Sequence, residues 1–262
     1  MTIATLAPIG AEGWSLIDAA AKETLSANLS ARKFVDFDGP HGLAHAAVPT
    51  GRLSVVKETR GNELGYGLHQ VLPLAETRIH FDLSIWELDN LSRGAKDIDL
   101  APLVEACRNA AAFEETAVFD GLEAAGITGL HQVVAEQPIA LECDAVVDAV
   151  AEAQARLLKA GVCGPAHLVV NPDICMFLNH SAPGGSLRAL IAKQVGGSVI
   201  ASASVKDALL VAARGGDLEL TVGQDFAVGY QSHTTTTVSL FLTESFTFRV
   251  IAPETLVGFV LK

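Results

Sequence analysis

Apolar residues recur every three or four positions at Trp14, Ile17, Ala21, Leu25 and Leu29, with Glu12, Asp18, Lys22 and Glu23 between them. This spacing predicts an amphipathic helix near the N-terminus, whose stripe must face a core, a neighbouring chain or a bound peptide. A longer stripe runs through Leu103, Ala106, Cys107, Ala110, Phe113, Ala117 and Leu122. Pro102 stands near its first turn and Gly126 is its expected C-cap. Val147, Val150, Leu157 and Leu158 mark a third helix over 144–160 that stops at Gly161. Shorter helices are expected after Asn171-Pro172, as far as Asn179, and over 187–193.

Strand patterns lie elsewhere. Residues 80–88 alternate and read as a strand, 167–170 form a short one, and the last third is strand-rich over 208–212, 218–222, 236–251 and 256–261. Between them, 51–72 is polar, Gly-punctuated and weakly alternating, with Leu53, Val55, Leu64, Tyr66 and Leu68 as its apolar positions. It reads as a hairpin with little core of its own. An isolated two-stranded hairpin is marginal in water, so this arm is expected to lie on another subunit. The whole pattern is α+β in one interwoven chain, without internal repeats.

Composition sharpens that expectation. Half of the 262 residues are hydrophobic and only 18% are charged, against about 25% in typical soluble domains. Either the core is unusually large or much of the surface is covered by other subunits; the second is favoured, because obligate interfaces resemble a divided core. The net charge of −12, with no basic run, argues against a nucleic-acid partner. Cys107, Cys143, Cys163 and Cys175 are scattered and suggest reduced thiols rather than a disulfide framework. Residues 1–10 lack the pattern of a signal peptide, no stretch is long and apolar enough to span a membrane, and the cytoplasm is the expected compartment.

Catalytic signatures are missing: the chain has no GxGxxG, GxxxxGK[ST], GxSxG or HExxH. His41 and His45 are four apart, but Gly39-Pro40 and Gly42 disfavour the helix that would align them as metal ligands. Glu87 and Asp89 would share a face if their segment continued the preceding strand, an arrangement open to acid–base work, yet no nucleophile stands near in sequence. Trp86 with Arg78 offers a place for a planar ligand to stack. Neither an enzyme, a cofactor nor a metal site is expected.

Several segments in order resemble the encapsulin family of shell proteins. They are 32–36 with Gly39-Pro40-His41-Gly42, 72–78, 86–94, Phe113-Glu114-Glu115 with Phe119-Asp120-Gly121, 126–130, 161–165, 214–217, Gly223-Gln224-Asp225 with Gly229-Tyr230, and 244–248. The resemblance runs almost end to end. It implies the tailed-phage major-capsid (Hong Kong 97-type) fold, with an N-terminal helix and start of a peripheral domain over 1–50, an extended loop over 51–72, peripheral domain over 73–143, an axial domain over 144–211, and a return to the peripheral domain over 212–262.

It also implies self-assembly into an icosahedral shell of about 60 copies that encloses cargo enzymes through a short targeting peptide. The cargo expected by resemblance is a ferritin-like protein or a dye-decolourising-type peroxidase, and the setting is iron storage or oxidative-stress defence. Carried onto this chain, the peptide dock falls on Leu25, Leu29, Phe34, Asp36, Phe226 and Val228. The five-fold pore loop falls on His180, Ser181, Ala182, Pro183, Gly184 and Gly185. A Tyr-Pro pair is common there in the family; Gly184-Gly185-Ser186 in its place predicts a wider or more mobile opening. The alternative is a phage or prophage major capsid protein of the same fold.

Overall fold

A computed structural model describes residues 7–56, 65–142, 145–182 and 185–262. The chain opens with helix α1 (Ala11–Asn28), short strand β1 (Asp36–Asp38), and a hairpin of β2 (Ala47–Val56) and β3 (Tyr66–Pro73). Strand β4 (Ala75–Ser84) leads into α2 (Ile85–Ser92) and the long α3 (Ala101–Phe119). Two-residue strands β5 (Gly121–Leu122) and β6 (Ile127–Thr128) precede α4 (Leu130–Val134) and β7 (Ile139–Leu141). Then come α5 (Val146–Lys159), β8 (Ala166–Val170), α6 (Pro172–Leu178), β9 (Ser181–Ala182), β10 (Gly185–Ser186), α7 (Leu187–Val195) and β11 (Val199–Ala201). The chain finishes with β12 (Ala208–Ala212), β13 (Leu218–Val222), β14 (Ala227–His233), β15 (Thr237–Val250) and β16 (Leu256–Leu261).

These elements build two five-stranded sheets. In the first, β15 is the spine: it pairs with β4 and β14 along its first part and with β13 along its end, and β1 joins β13 in parallel. In the second the order is β11-β8-β12-β16-β7. Helices α1 and α3 cover the first sheet through Ile17, Ala21, Leu25, Leu103, Cys107, Leu240 and Leu242. Helices α5, α6 and α7 cover one face of the second through Val150, Leu157, Leu178, Ile191, Leu168 and Leu210. The opposite face of that sheet, Val169, Leu209 and Val211, packs on the end of α3 and on Phe246 and Phe248. Strand β12, and β8 apart from His167, are therefore buried on both sides, which explains the unbroken apolar runs of 208–212 and 168–170.

Three expectations are corrected. Residues 85–92 form α2 rather than continuing a strand, because Ile85 and Leu88 fall at helical spacing and Leu88 is buried on that face. On a helix Glu87 and Asp89, two apart, diverge by roughly 200°, so they are no acid–base pair. The long helix ends at Phe119 and not at Gly126. Gly121 takes φ +94°, and Gly129 packs so closely on the Asp120–Gly121 backbone that no Cβ fits. Gly126, at φ +70°, instead caps a single 3-10 turn over 123–125. Leu158 stands outside the buried stripe of α5, which runs through Val146, Ala149, Val150, Ala153 and Leu157.

Candidate functional site

A groove of about 730 Å³ runs between α1 and the edge of the first sheet. Asp18, Ala21, Lys22, Leu25, Ser26 and Leu29 form one wall; they fall on one side of α1 at spacings of three and four. Phe226, Ala227 and Val228 entering β14, with Leu242 of β15, form the other. Val228 and Leu242 are register partners, so their side chains share a sheet face. The floor is apolar. Charges sit at its margins: Asp18, Lys22, Lys33, Arg32 and Asp225. Strand β14 pairs only with β15 among the described residues, which leaves an edge strand beside the groove.

Below one end lies a buried charge cluster. The Arg32 guanidinium bonds Glu114, at 2.5 Å from Oε2, and Asp225, at 2.9 Å from Oδ1, and it also bonds Glu244. It sits over the rings of Phe37, at 5.0 Å, and Phe226, at 5.1 Å. Glu114 and Glu244 are buried, and Glu244 Oε2 has no hydrogen-bond partner. Burial, reinforced by repulsion from Glu114 and opposed by Arg32, pushes the Glu244 carboxyl up to about 11. Burial works against the charge on Arg32, but its bonds and attraction to the carboxylates raise the guanidinium overall. Beside them Glu115 accepts from the Ser30 hydroxyl and from Ala31 N at 2.7 Å; burial raises its carboxyl, against those bonds.

The structure brings Leu25, Leu29, Phe226 and Val228 together in the groove. Phe34 and Asp36 lie outside the lining of that groove. Phe34 packs edge-on against Phe119, with centroids 6.0 Å apart, because the chain turns after Lys33 and sends the ring inward. Asp36 enters β1 beside β13 and accepts a hydrogen bond from Gly216 N at 2.7 Å, so its carboxylate closes a tight turn. The sequence pattern does not single out Arg32, Glu114, Glu244 and Asp225 as one unit, because they come from distant segments. A signal exists: Glu244 falls in phase with Val238, Leu240, Leu242, Phe246 and Phe248, and Glu114 in phase with Ala110, Ala111 and Ala117, so both acids occupy inward positions.

Other expected residues are dispersed. His180 Nδ1 lies 2.7 Å from Phe177 O, and β9 and β10 flank the loop as a small ladder joining Ser181 to Ser186 and Ala182 to Gly185. Pro183 and Gly184 lie outside the described residues. Trp86 is 65% exposed on α2, whereas Arg78 stacks 4.4 Å over Phe241. His41 and His45 stack with ring centroids 4.7 Å apart, and His41 Nε2 lies 3.1 Å from Asp38 Oδ1. No cluster of three or more potential ligands suited to a metal occurs among the described residues, and none of their helices is long and apolar enough to cross a membrane.

The family model described as an encapsulating protein for peroxidase (Linocin_M18) matches residues 3–247. A type 1 encapsulin shell protein of Rhodospirillum rubrum is 38% identical over 258 residues, covering 95% of this chain and 92% of that protein. One from Rhodococcus erythropolis is 34% identical, with 97% of each covered. A diheme-cytochrome–encapsulin shell fusion protein of Kuenenia stuttgartiensis is 27% identical across 85% of this chain and 65% of its own length. Among solved structures, the virus-like particle from Pyrococcus furiosus superposes with a TM-score of 0.64 at 14% identity, covering 92% of this chain and 96% of that one. The Mycobacterium phage Bobi structure gives 0.56 at 15%, with 90% of each covered. These likenesses carry the fold, the α+β fold of tailed-phage major capsid proteins.

Proposed function

The chain belongs to the encapsulin shell-protein family, and from that premise we propose that about 60 copies close into an icosahedral cytoplasmic compartment that encloses a cargo enzyme. The single observation that carries self-assembly is the β2–β3 hairpin. Its register pairs Leu53 with His69 and Val55 with Gly67 on one face, and Ser54 with Leu68 and Val56 with Tyr66 on the other. Leu53, Val55, Tyr66 and Leu68 are each at least half exposed. A ribbon with apolar side chains on both faces and no covering layer among the described residues is explained by burial between neighbouring copies. At roughly 3.3 Å per residue its ten-residue strand β2 reaches about 33 Å, enough to cross onto a neighbour.

The hairpin would then be the extended loop, the first sheet with α1 and α3 the peripheral domain, and the second sheet with α5–α7 the axial domain. The groove is the dock for the cargo's targeting peptide: an apolar floor beside an edge strand suits an extended peptide with aliphatic side chains at alternate positions. The family model's description favours a peroxidase as cargo over a ferritin-like protein. The 180–185 loop, flanked by its short ladder, would border the five-fold opening. The shell itself has no catalytic role. The encapsulin reading is preferred to a phage capsid, because relatives at 33–38% identity are encapsulin shell proteins while phage structures share 12–15%.

Size-exclusion chromatography with electron microscopy of the pure chain tests assembly. A megadalton closed particle is expected, and a stable monomer or dimer overturns it. Mass spectrometry of particles purified from the native cell identifies the enclosed protein.

A further inference from the structure

Arg32 stands where the groove meets the interior. Its guanidinium is clamped from within by Glu114 of α3 and Glu244 of β15, and it bonds Asp225 at the groove margin, 2.9 Å away. The same group lies over the ring of Phe226, and Asp225 Oδ1 also accepts from Phe226 N at 2.9 Å. One side chain thus ties a corner of the groove wall to two buried elements. We infer that Arg32 is a positioning residue for peptide capture: held by both carboxyl oxygens of Glu114, it fixes the Phe226 ring and the Asp225 carboxylate that shape one end of the groove.

The inference rests on the groove being a peptide dock. Its physical content is a division of labour between two buried acids. One guanidinium compensates one fully buried negative charge at close range, and two buried carboxylates sharing it cannot both ionise without a large desolvation cost. Glu244, whose second oxygen meets no donor, is the one that keeps a proton. Glu114 instead offers both of its oxygens to the Arg32 guanidinium. Arginine suits the position because its planar fork bonds several carboxylates while stacking on rings, which a lysine ammonium cannot do.

The test compares assembled shells of the wild type with Arg32→Lys, Glu114→Gln, Glu244→Gln and Asp225→Asn. Hydrogen exchange read by mass spectrometry over 224–230 reports wall order. A fluorescent protein ending in an extended tail of roughly eight residues, with Leu at alternate positions among Gly and Ser, is co-expressed and counted per shell. Arg32→Lys and Glu114→Gln should speed exchange over 224–230 about ten-fold and lower loading in step. Glu244→Gln, which replaces a neutral acid by a neutral amide, should leave both within about two-fold. Asp225→Asn spares the buried acids and should loosen the wall while the shell assembles normally, which keeps the test readable if a buried variant fails to fold. Wild-type behaviour in Arg32→Lys and Asp225→Asn, or equal damage from Glu244→Gln and Glu114→Gln, overturns the inference. Should the exchange pattern appear while the wild-type shell ignores the tail, the peptide-dock reading fails and takes the role in capture with it, leaving only the ordering of the 224–230 wall by Arg32.

Discussion

Replacing Glu244 by Gln should stabilise this protein, increasingly so as the pH rises. Burial first, and Glu114 next, raise the Glu244 carboxyl from an ordinary 4.5 to about 11. Over that window the folded chain keeps a proton that the unfolded chain releases. Because the folded state binds more protons, the stability contributed by this group is full below the unfolded value and falls as pH increases. The slope is about 1.4 kcal/mol per pH unit per subunit. Between about pH 5.5 and about pH 8.5 the wild type should therefore lose about 4 kcal/mol per subunit relative to Glu244→Gln, whose amide does not titrate. The amide retains an oxygen to accept from Arg32, so the comparison isolates the proton. Guanidinium midpoints followed by the fluorescence of Trp14 and Trp86, at one protein concentration because assembly contributes by mass action, give the two curves. Parallel curves would show that Glu244 is not the group holding the proton and would refute the reasoning.

Further predictions concern assembly, the groove and the backbone. Leu53→Lys combined with Leu68→Lys charges both faces of the hairpin and should leave folded subunits that elute far below shell size on size exclusion. Val228→Asp places a charge in the groove and should cut tail loading at least about ten-fold while the particle still closes, as counted by fluorescence per shell. Gly129→Ala forces a Cβ to within 2.3 Å of the Asp120–Gly121 backbone and should cost roughly 3 kcal/mol or more, read as a lower denaturation midpoint. Asp120 bonds His131 at 2.9 Å and Lys206 at 3.2 Å; burial opposes, but these partners hold its carboxyl below the usual range. Its stabilising contribution is present above the unfolded value and lost as pH falls through the folded one. Asp120→Asn should therefore lower the wild-type midpoint at neutral pH, and the gap should close in acid.

Much of the architecture is legible as local pattern. The strands at 208–212, 218–222 and 256–261 follow from apolar runs bounded by Gly, Asp or Pro, and the helix through Ile17, Ala21 and Leu25 from its periodicity. The 51–72 excursion reads as a coreless hairpin for the same reason, and the described strands extend it at the base to 47–56 and 66–73. These features are encoded by neighbours a few residues apart. Where two local signals compete, as at Ile85–Ser92, alternation carried over from β4 masks a helical spacing that only burial of Leu88 resolves.

The site divides along the same line. Leu25 and Leu29 belong to a stripe that any reader of the helix would mark, whereas their meeting with Phe226 and Val228 depends on β14 docking against β15 and on α1 crossing above it. Phe34 and Asp36, close in sequence to that helix, are carried away by the turn after Lys33. The partners of Arg32 lie 82, 193 and 212 residues along the chain. Sequence alone determined most of the elements and the family resemblance, because propensity and periodicity act over a few residues. Tertiary structure alone decided which acid meets which base and which carboxyl keeps its proton, because charge compensation in a buried site depends on distances that no local pattern contains.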